Sequence, residues 1–372
     1  MTNGDLPEPD RVDGAPHPRD TAKLVGQDGA QAEFLKAYNA GRLHHAWLLT
    51  GPRGVGKATL AWAIARFLLA TPEVADDDMF GASPPPSSLA VDTDHPVARR
   101  IVAGSEPGLL VLRRPYDDKA KKLRQQITIE EVRRLKNFFA MSATDGGRRI
   151  VIVDAADEMN TNAANAILKV LEEPPARTIL LLVSHQPSRL LPTIRSRCRE
   201  LRLGTLNADG MADALSQVGA DVDTSPQALA ELSGGSVGEA IRLLNLGGVE
   251  IYTELMGVLD SLPKLDRPRA LQLANAAAAR GAEARLDLLF TMVDLALARL
   301  ARTGVTSQPP NDAIPNEATI LQRLSPGPEQ GRAWAALAQE IGARARHGRA
   351  VNLDPAALVL DTVFKIQQTA AG

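Results

Sequence analysis

Ala46-Trp47-Leu48-Leu49-Thr50-Gly51-Pro52-Arg53-Gly54-Val55-Gly56-Lys57-Ala58-Thr59 decides how this chain of 372 residues is read. A short apolar run enters a glycine loop that fits the phosphate-loop pattern up to its lysine, and the Ala/Leu-rich stretch from Leu60 to Ala70 follows as a helix. In that context the loop's backbone N–H groups cradle phosphates at a helix N-terminus and the lysine reaches them. The pattern then breaks, because Ala58 stands where a Ser or Thr hydroxyl would hold Mg²⁺. Thr59 is the nearest hydroxyl, but one step along a helix turns a side chain by about 100°. The plainer alternative is a glycine turn that only lets strand and helix pack.

Working outward, Leu24 to Gly41 reads as a helix closed by a glycine, and Leu109 to Leu112 as a second strand. Ile127 to Ala140 is helical, and Arg149 to Asp154 is a β-branched strand ending in an acid. A helix from Asn160 to Glu173 is stopped by Pro174-Pro175, and Ile179 to Val183 and Glu200 to Leu203 complete five strands. Apolar runs alternating with helices predict a parallel sheet covered on both faces. Residues 1–22 read as a disordered lead, and 71–94, with Asp76-Asp77-Asp78 and Pro84-Pro85-Pro86, as an exposed insert. Strands end near residue 205, so the expected organisation is an α/β domain over 23–205, a helical lid over 206–248 and an all-α domain over 249–372.

Composition narrows the function. A net charge of −2 argues against a bulk electrostatic nucleic-acid binder, and aromatics at 3% give no stacking platform. The single cysteine, Cys198, excludes an internal disulfide and a cysteine-rich zinc site, and reads as a small buried hydrophobe. Membrane-length apolar runs and a signal core are lacking, so a cytoplasmic protein is expected. The charged stretch Arg113 to Arg124 reads more simply as a surface loop than as a contact for DNA phosphates.

The second element of a nucleotide site is Asp154, an acid of the kind that steadies Mg²⁺ at a strand end. The neighbour that would orient an attacking water in hydrolytic versions is Ala155, and Glu158 lies too far along for that geometry. The candidate nucleotide-binding residues are therefore Gly51, Gly54, Gly56, Lys57, Thr59 and Asp154, with two catalytic groups missing. The candidate ligand is ATP or ADP with Mg²⁺. Ser196-Arg197-Cys198 follows a short helical turn; taken alone, the tripeptide is read most simply as a surface or interface arginine.

The run Ala163-Ala164-Asn165-Ala166-Ile167-Leu168-Lys169-Val170-Leu171-Glu172-Glu173-Pro174-Pro175, followed by Ser196-Arg197-Cys198, resembles the signature of bacterial clamp-loader subunits of the AAA+ family. The likeness runs from Leu24-Val25-Gly26-Gln27 to Leu203 and fades into general helical character beyond. It implies a RecA-like AAA+ domain, a small lid and a helical collar. It further implies a non-hydrolysing or weakly hydrolysing subunit of the DNA polymerase III assembly, with no catalysis expected of this chain alone. Arg197 would serve in trans as an arginine finger for a neighbouring motor subunit. The implied partners are gamma/tau motor subunits, a delta subunit, the sliding clamp and, through the complex, primed DNA. The rival is an ATP-hydrolysing motor, favoured by Lys57 and Asp154 and opposed by Ala58 and Ala155.

The resemblance places a polar sensor at Ser184 or His185 and a lid arginine at the position of Gly238, with Arg242 one turn later. The four-cysteine zinc module of many family members has no counterpart, and His95 cannot replace it.

Overall fold

Ile150, Val151, Ile152 and Val153 are all fully buried. A strand apolar on both of its faces must lie inside a sheet covered on both sides. The chain is described here by a computed structural model that covers residues 7–21, 23–71, 84–140, 147–220 and 224–372. It divides into two compact units, one made of residues 1–206 with 236–238, the other of 207–235 with 239–372.

In the first unit the strands are β1 (Ala46–Thr50), β2 (Leu109–Arg113), β3 (Tyr116–Asp117), β4 (Lys122–Leu123), β5 (Arg149–Asp154), β6 (Thr178–Ser184) and β7 (Arg199–Arg202). Five of them form a parallel sheet in the order β2-β5-β6-β1-β7, and β3 and β4 make a separate antiparallel hairpin. The helices are α1 (Asp28–Asn39), α2 (Lys57–Ala70), α3 (Pro96–Val102), α4 (Ile129–Ala140), α5 (Thr161–Glu172) and the single turn α6 (Pro192–Arg195). Alternation along β1 sorts the two cores. Trp47 and Leu49 join Phe34 of α1 and Leu60 and Ile64 of α2 on one face, while Ala46 and Leu48 join Val132, Ile167 and Ile194 on the other.

Helix ends follow local chemistry. The Asn160 side chain accepts from the N–H of Ala163 to start α5, and Pro174-Pro175 follows its end. His95 caps α3 by accepting from the N–H of Val97, with Pro96 at the first helical position. The sequence reading did not place that helix, and the β3–β4 hairpin lies in the stretch read as a surface loop.

Two expectations need correction. The lead was expected to be disordered, yet among residues 7–21 His17 and Asp10 are buried against the sheet domain. Their polar groups find partners there that composition alone does not reveal. The 71–94 insert was expected to be exposed. Residues 72–83 lie outside the described residues, but Leu89 is buried in the α1–α2 core and Val91 packs against it.

The second unit is helical throughout its described residues: α7 (Ala208–Gln217), α8 (Pro226–Ser233), most of α9 (Val237–Leu246), α10 (Gly248–Asp260), α11 (Arg267–Ala277), α12 (Glu283–Thr306), α13 (Glu317–Leu324), α14 (Pro328–Ala350) and α15 (Pro355–Ala371). The segments expected as lid and collar thus share one unit, apart from residues 236–238. No helix among the described residues is long and apolar enough to cross a membrane.

A buried polar network ties the second unit together. Glu317, wholly buried at the start of α13, accepts from Arg299 Nε at 2.7 Å and Nη2 at 3.0 Å, from the Tyr252 hydroxyl at 2.5 Å and from the N–H of Ala313 at 2.7 Å. Burial and the neighbouring carboxylate push the Tyr252 phenol upward, so it stays a donor. Arg299 also reaches Glu231 of α8 at 3.3 Å. Removing one member of such a network strands a buried charge. Glu317→Ala is therefore expected to cost the helical unit about 3 to 5 kcal/mol, read as a lower urea midpoint by circular dichroism. An unchanged midpoint would show that the network does not hold these helices.

Candidate nucleotide site on the sheet edge

The register of the central strands places three side chains at one carboxyl edge. Thr50 pairs with Ser184, and Asp154 lies beside Val183 and Arg113. In open parallel sheets this edge is where ligands bind. The loop Gly51–Gly56 leaves β1 here and enters α2 at Lys57.

Gly51 has φ of +140°, and a Cβ there would lie 2.4 Å from the carbonyl oxygen of Leu203, so only glycine fits. Gly238, the position of the expected lid arginine, belongs to the same unit as the loop, and its N–H donates to the carbonyl of Gly54 at 3.1 Å. A Cβ on Gly238 would come 3.1 Å from Gly54 Cα and 3.5 Å from Val12 Cγ2. No arginine reaches out from this place, because backbone packs there instead.

Lys57 is buried, and its Nζ donates to the carbonyl of Gly51 at 2.7 Å and to that of Pro52. Burial lowers its ammonium to about 8, against the opposing pull of Asp154 and Asp157. Asp154 is raised to about 7, first by burial, then by the charges of Asp10 and Glu158, with Lys57 and Arg113 opposing. Both groups therefore lean toward their neutral forms, which is how an edge short of solvent limits its charge. Ala58 offers no hydroxyl, and Thr59 is half-buried.

The two sensor positions differ in role. Ser184 ends β6 fully buried. The backbone N–H of His185 donates to Asp157 Oδ1 at 2.9 Å, and burial together with nearby Lys57 lowers its imidazole to about 4. It is a neutral ring at neutral pH. Glu158, too distant in sequence to replace Ala155, pairs with Arg114 at 2.7 Å.

Residues absent from the sequence-based site complete this edge. Arg113, at the end of β2, donates to Asp10 at 3.0 Å and to Glu8. Burial would raise Asp10, but His17 and Arg113 outweigh it and hold the carboxyl at about 2. In Glu8 burial is likewise outweighed, chiefly by Arg113. Nothing in the local pattern of residues 7–21 announces this, since their partners are remote in sequence.

Arg197 lies apart from the loop. It follows α6, with Nη1 donating to the carbonyl of Thr193 at 3.0 Å and Nη2 paired with Glu172 at 3.0 Å. Its side chain is 37% exposed. Cys198 is half-buried against the α4–α5 core, and burial pushes its thiol up to about 12, so it is no nucleophile. The chain thus brings Gly51, Gly54, Gly56, Lys57 and Asp154 to one edge and holds Arg197 elsewhere.

Residues 26–207 match the family described as "DNA polymerase III, delta subunit". The delta' subunit of DNA polymerase III from Pseudomonas aeruginosa is 36% identical over 223 residues, 59% of this chain and 61% of that protein. Through its α/β unit the chain is similar to the delta' subunits of DNA polymerase III. The gamma/tau subunit from Mycobacterium tuberculosis is 30% identical over 287 residues, 71% of this chain and 45% of that protein. Matches thus span about three fifths of the delta' relative and less than half of the gamma/tau one. A DNA polymerase III gamma subunit-related protein of Thermotoga maritima superposes with a TM-score of 0.40 at 18% identity, covering 91% of this chain and 99% of that one.

The loop residues present fit a phosphate group only in part. The loop amides, Lys57 and Asp154 are the groups that would hold phosphate and Mg²⁺, and the hydroxyl that would complete the metal's shell is absent at Ala58.

The raised carboxyl of Asp154 makes a signed prediction. Its folded pKa lies above the unfolded value, so its contribution is favourable at low pH and is lost as pH rises from about 4 toward 7. Asp154→Asn removes that loss. The variant's stability relative to the parent chain is expected to rise across this window, by up to about 1.4 kcal/mol per pH unit, in urea titrations at several pH values. A pH-independent difference would contradict it.

Proposed function

We propose that this chain is the delta-prime subunit of a DNA polymerase III clamp loader, a AAA+ subunit that does not hydrolyse ATP efficiently and lends Arg197 to a neighbour. The observation that carries the reading is an asymmetry. Its own phosphate loop lacks the metal-holding hydroxyl and the water-orienting glutamate, at Ala58 and Ala155. Arg197, by contrast, is partly exposed on the surface, held by Thr193 and Glu172. A guanidinium fixed on one subunit neutralises charge that develops on the γ-phosphate bound to the next.

On this reading the partners are gamma/tau motor subunits and a delta subunit, and the assembly places the sliding clamp on primed DNA in the cytoplasm. The helical second unit serves as lid and collar. ATP or ADP at the chain's own loop has a structural role only, held by Gly51, Gly54, Gly56, Lys57 and Asp154, with Thr59 as the remaining nearby hydroxyl. The motor reading draws on Lys57 and Asp154, which occupy the places a hydrolysing subunit needs.

Steady-state ATP hydrolysis by the isolated chain separates the two. No turnover is expected, and turnover abolished by Lys57→Ala would make the chain a motor. In a reconstituted loader, Arg197→Ala is expected to leave folding intact and to slow hydrolysis at the single site it serves by on the order of 10³. Unchanged single-site turnover would remove Arg197 from the mechanism.

A further inference from the structure

Residues 7–21 lie on a surface made by Trp62 and Arg66 of α2 and Arg113 of β2. Arg66 donates to the backbone carbonyls of Arg19 at 2.6 Å and Thr21 at 3.4 Å. The indole N–H of Trp62 donates to Asp10 at 3.4 Å, and the His17 ring meets that indole edge-on at 5.8 Å. Arg113 bridges Glu8 and Asp10, and Arg19 adds a second guanidinium to Glu8 at 3.2 Å. The Asp10 and His17 side chains are 1% and 3% exposed. Two guanidinium groups and an indole form a receptor for an acidic peptide, and that peptide is the chain's own.

Glu8, Asp10 and His17 bring their ligand atoms within 4.8 Å of one another, the spacing of a metal site. The hydrogen bonds argue otherwise. His17 Nδ1 accepts from the N–H of Arg19 at 3.1 Å, which makes Nε2 the ring's N–H, facing Glu8 at 2.8 Å and Asp10 at 3.2 Å. With that proton and Arg113 already serving the carboxylates, a cation has no place.

What the segment covers gives it a consequence. Asp10 is near enough to Asp154 to help raise it, and Val12 lies beside Gly238 and hence Gly54 of the phosphate loop. Asp10, bonded to Arg113 beside Asp154, thus brings a further carboxylate to the edge where phosphates would enter. We infer that residues 7–21 are an intramolecular strap for the Trp62–Arg66–Arg113 surface and compete with nucleotide phosphate for the loop. By linkage, whatever loosens the strap tightens nucleotide, and nucleotide loosens the strap. The inference rests on the loop being a phosphate site and not on the trans role of Arg197.

The test uses the full chain. In Glu8→Lys/Asp10→Lys, trypsin is expected to cut after Arg11 sooner than in the parent chain, followed by mass spectrometry. Fluorescent ADP with Mg²⁺ is expected to bind at least ~10-fold more tightly by polarisation, the gain from removing a competing state. A synthetic peptide of residues 7–21 should reverse that gain. Adding Arg113→Glu to the double variant restores opposite charges and should return both readouts toward the parent, which separates release from misfolding. Equal ADP affinity in parent and released variant, or an uncut Arg11, overturns the strap. ADP binding by the released variant that survives Lys57→Ala overturns the phosphate-site premise instead, and with it the strap.

Discussion

The parallel ladder β2-β5-β6-β1-β7 is the constraint on which the rest of the first unit depends. Each strand's backbone groups are satisfied only by its neighbours, so register is not free to slide. That register alone puts Thr50 opposite Ser184 and Asp154 beside Arg113. It also aims the turn at Gly51 toward the carbonyl of Leu203, where a side chain cannot be fitted. Everything chemical on this face follows from where the strands end.

The same burial that stabilises the sheet sets the electrostatics of its edge. Lys57 and Asp154 sit in a place with little water, and each is drawn toward its uncharged state. Lys57 turns back to the carbonyls of its own loop, and Asp154 has Asp10 and Glu158 for company. Lys57 is thus satisfied by its own loop, while Ser184 Oγ and His185 Nδ1 are buried without a hydrogen-bond partner. A hydrolysing site would need instead a metal, a hydroxyl to hold it and an oriented water, and Ala58 and Ala155 supply neither side chain. Arg197 lies elsewhere, after α6, held by Glu172 and Thr193. An exposed pair of this kind adds little stability.

Much of this was legible in the chain. The β-branched run Arg149–Asp154, the glycine loop and the prolines after Glu173 each encode their element locally, through pleat, permitted φ and a missing N–H. The sheet, its covering helices, the loss of two catalytic groups and the family likeness over the α/β part all followed. The residues that escaped are those whose meaning is non-local. Glu8, Asp10 and His17 have the composition of a solvated tail, and only the distant Arg113, Trp62 and Arg66 make them part of the fold. Leu89 is buried although the insert around it is polar, because its core partners lie on α1 and α2.

Sequence alone therefore determined the five strands of the main sheet and the helices that alternate with them, the phosphate loop, the absence of its hydroxyl at Ala58 and the arginine after Ser196, since each is a property of adjacent residues. Tertiary structure decided which charges face one another: that Arg113 meets Asp10, that Asp10 stands near Asp154, that Gly238 closes on Gly54, and that Arg299 and Glu317 are buried together. Those pairings depend on distances of a few ångström between groups far apart along the chain, and Coulomb and desolvation energies are set by that distance and by burial rather than by position in sequence.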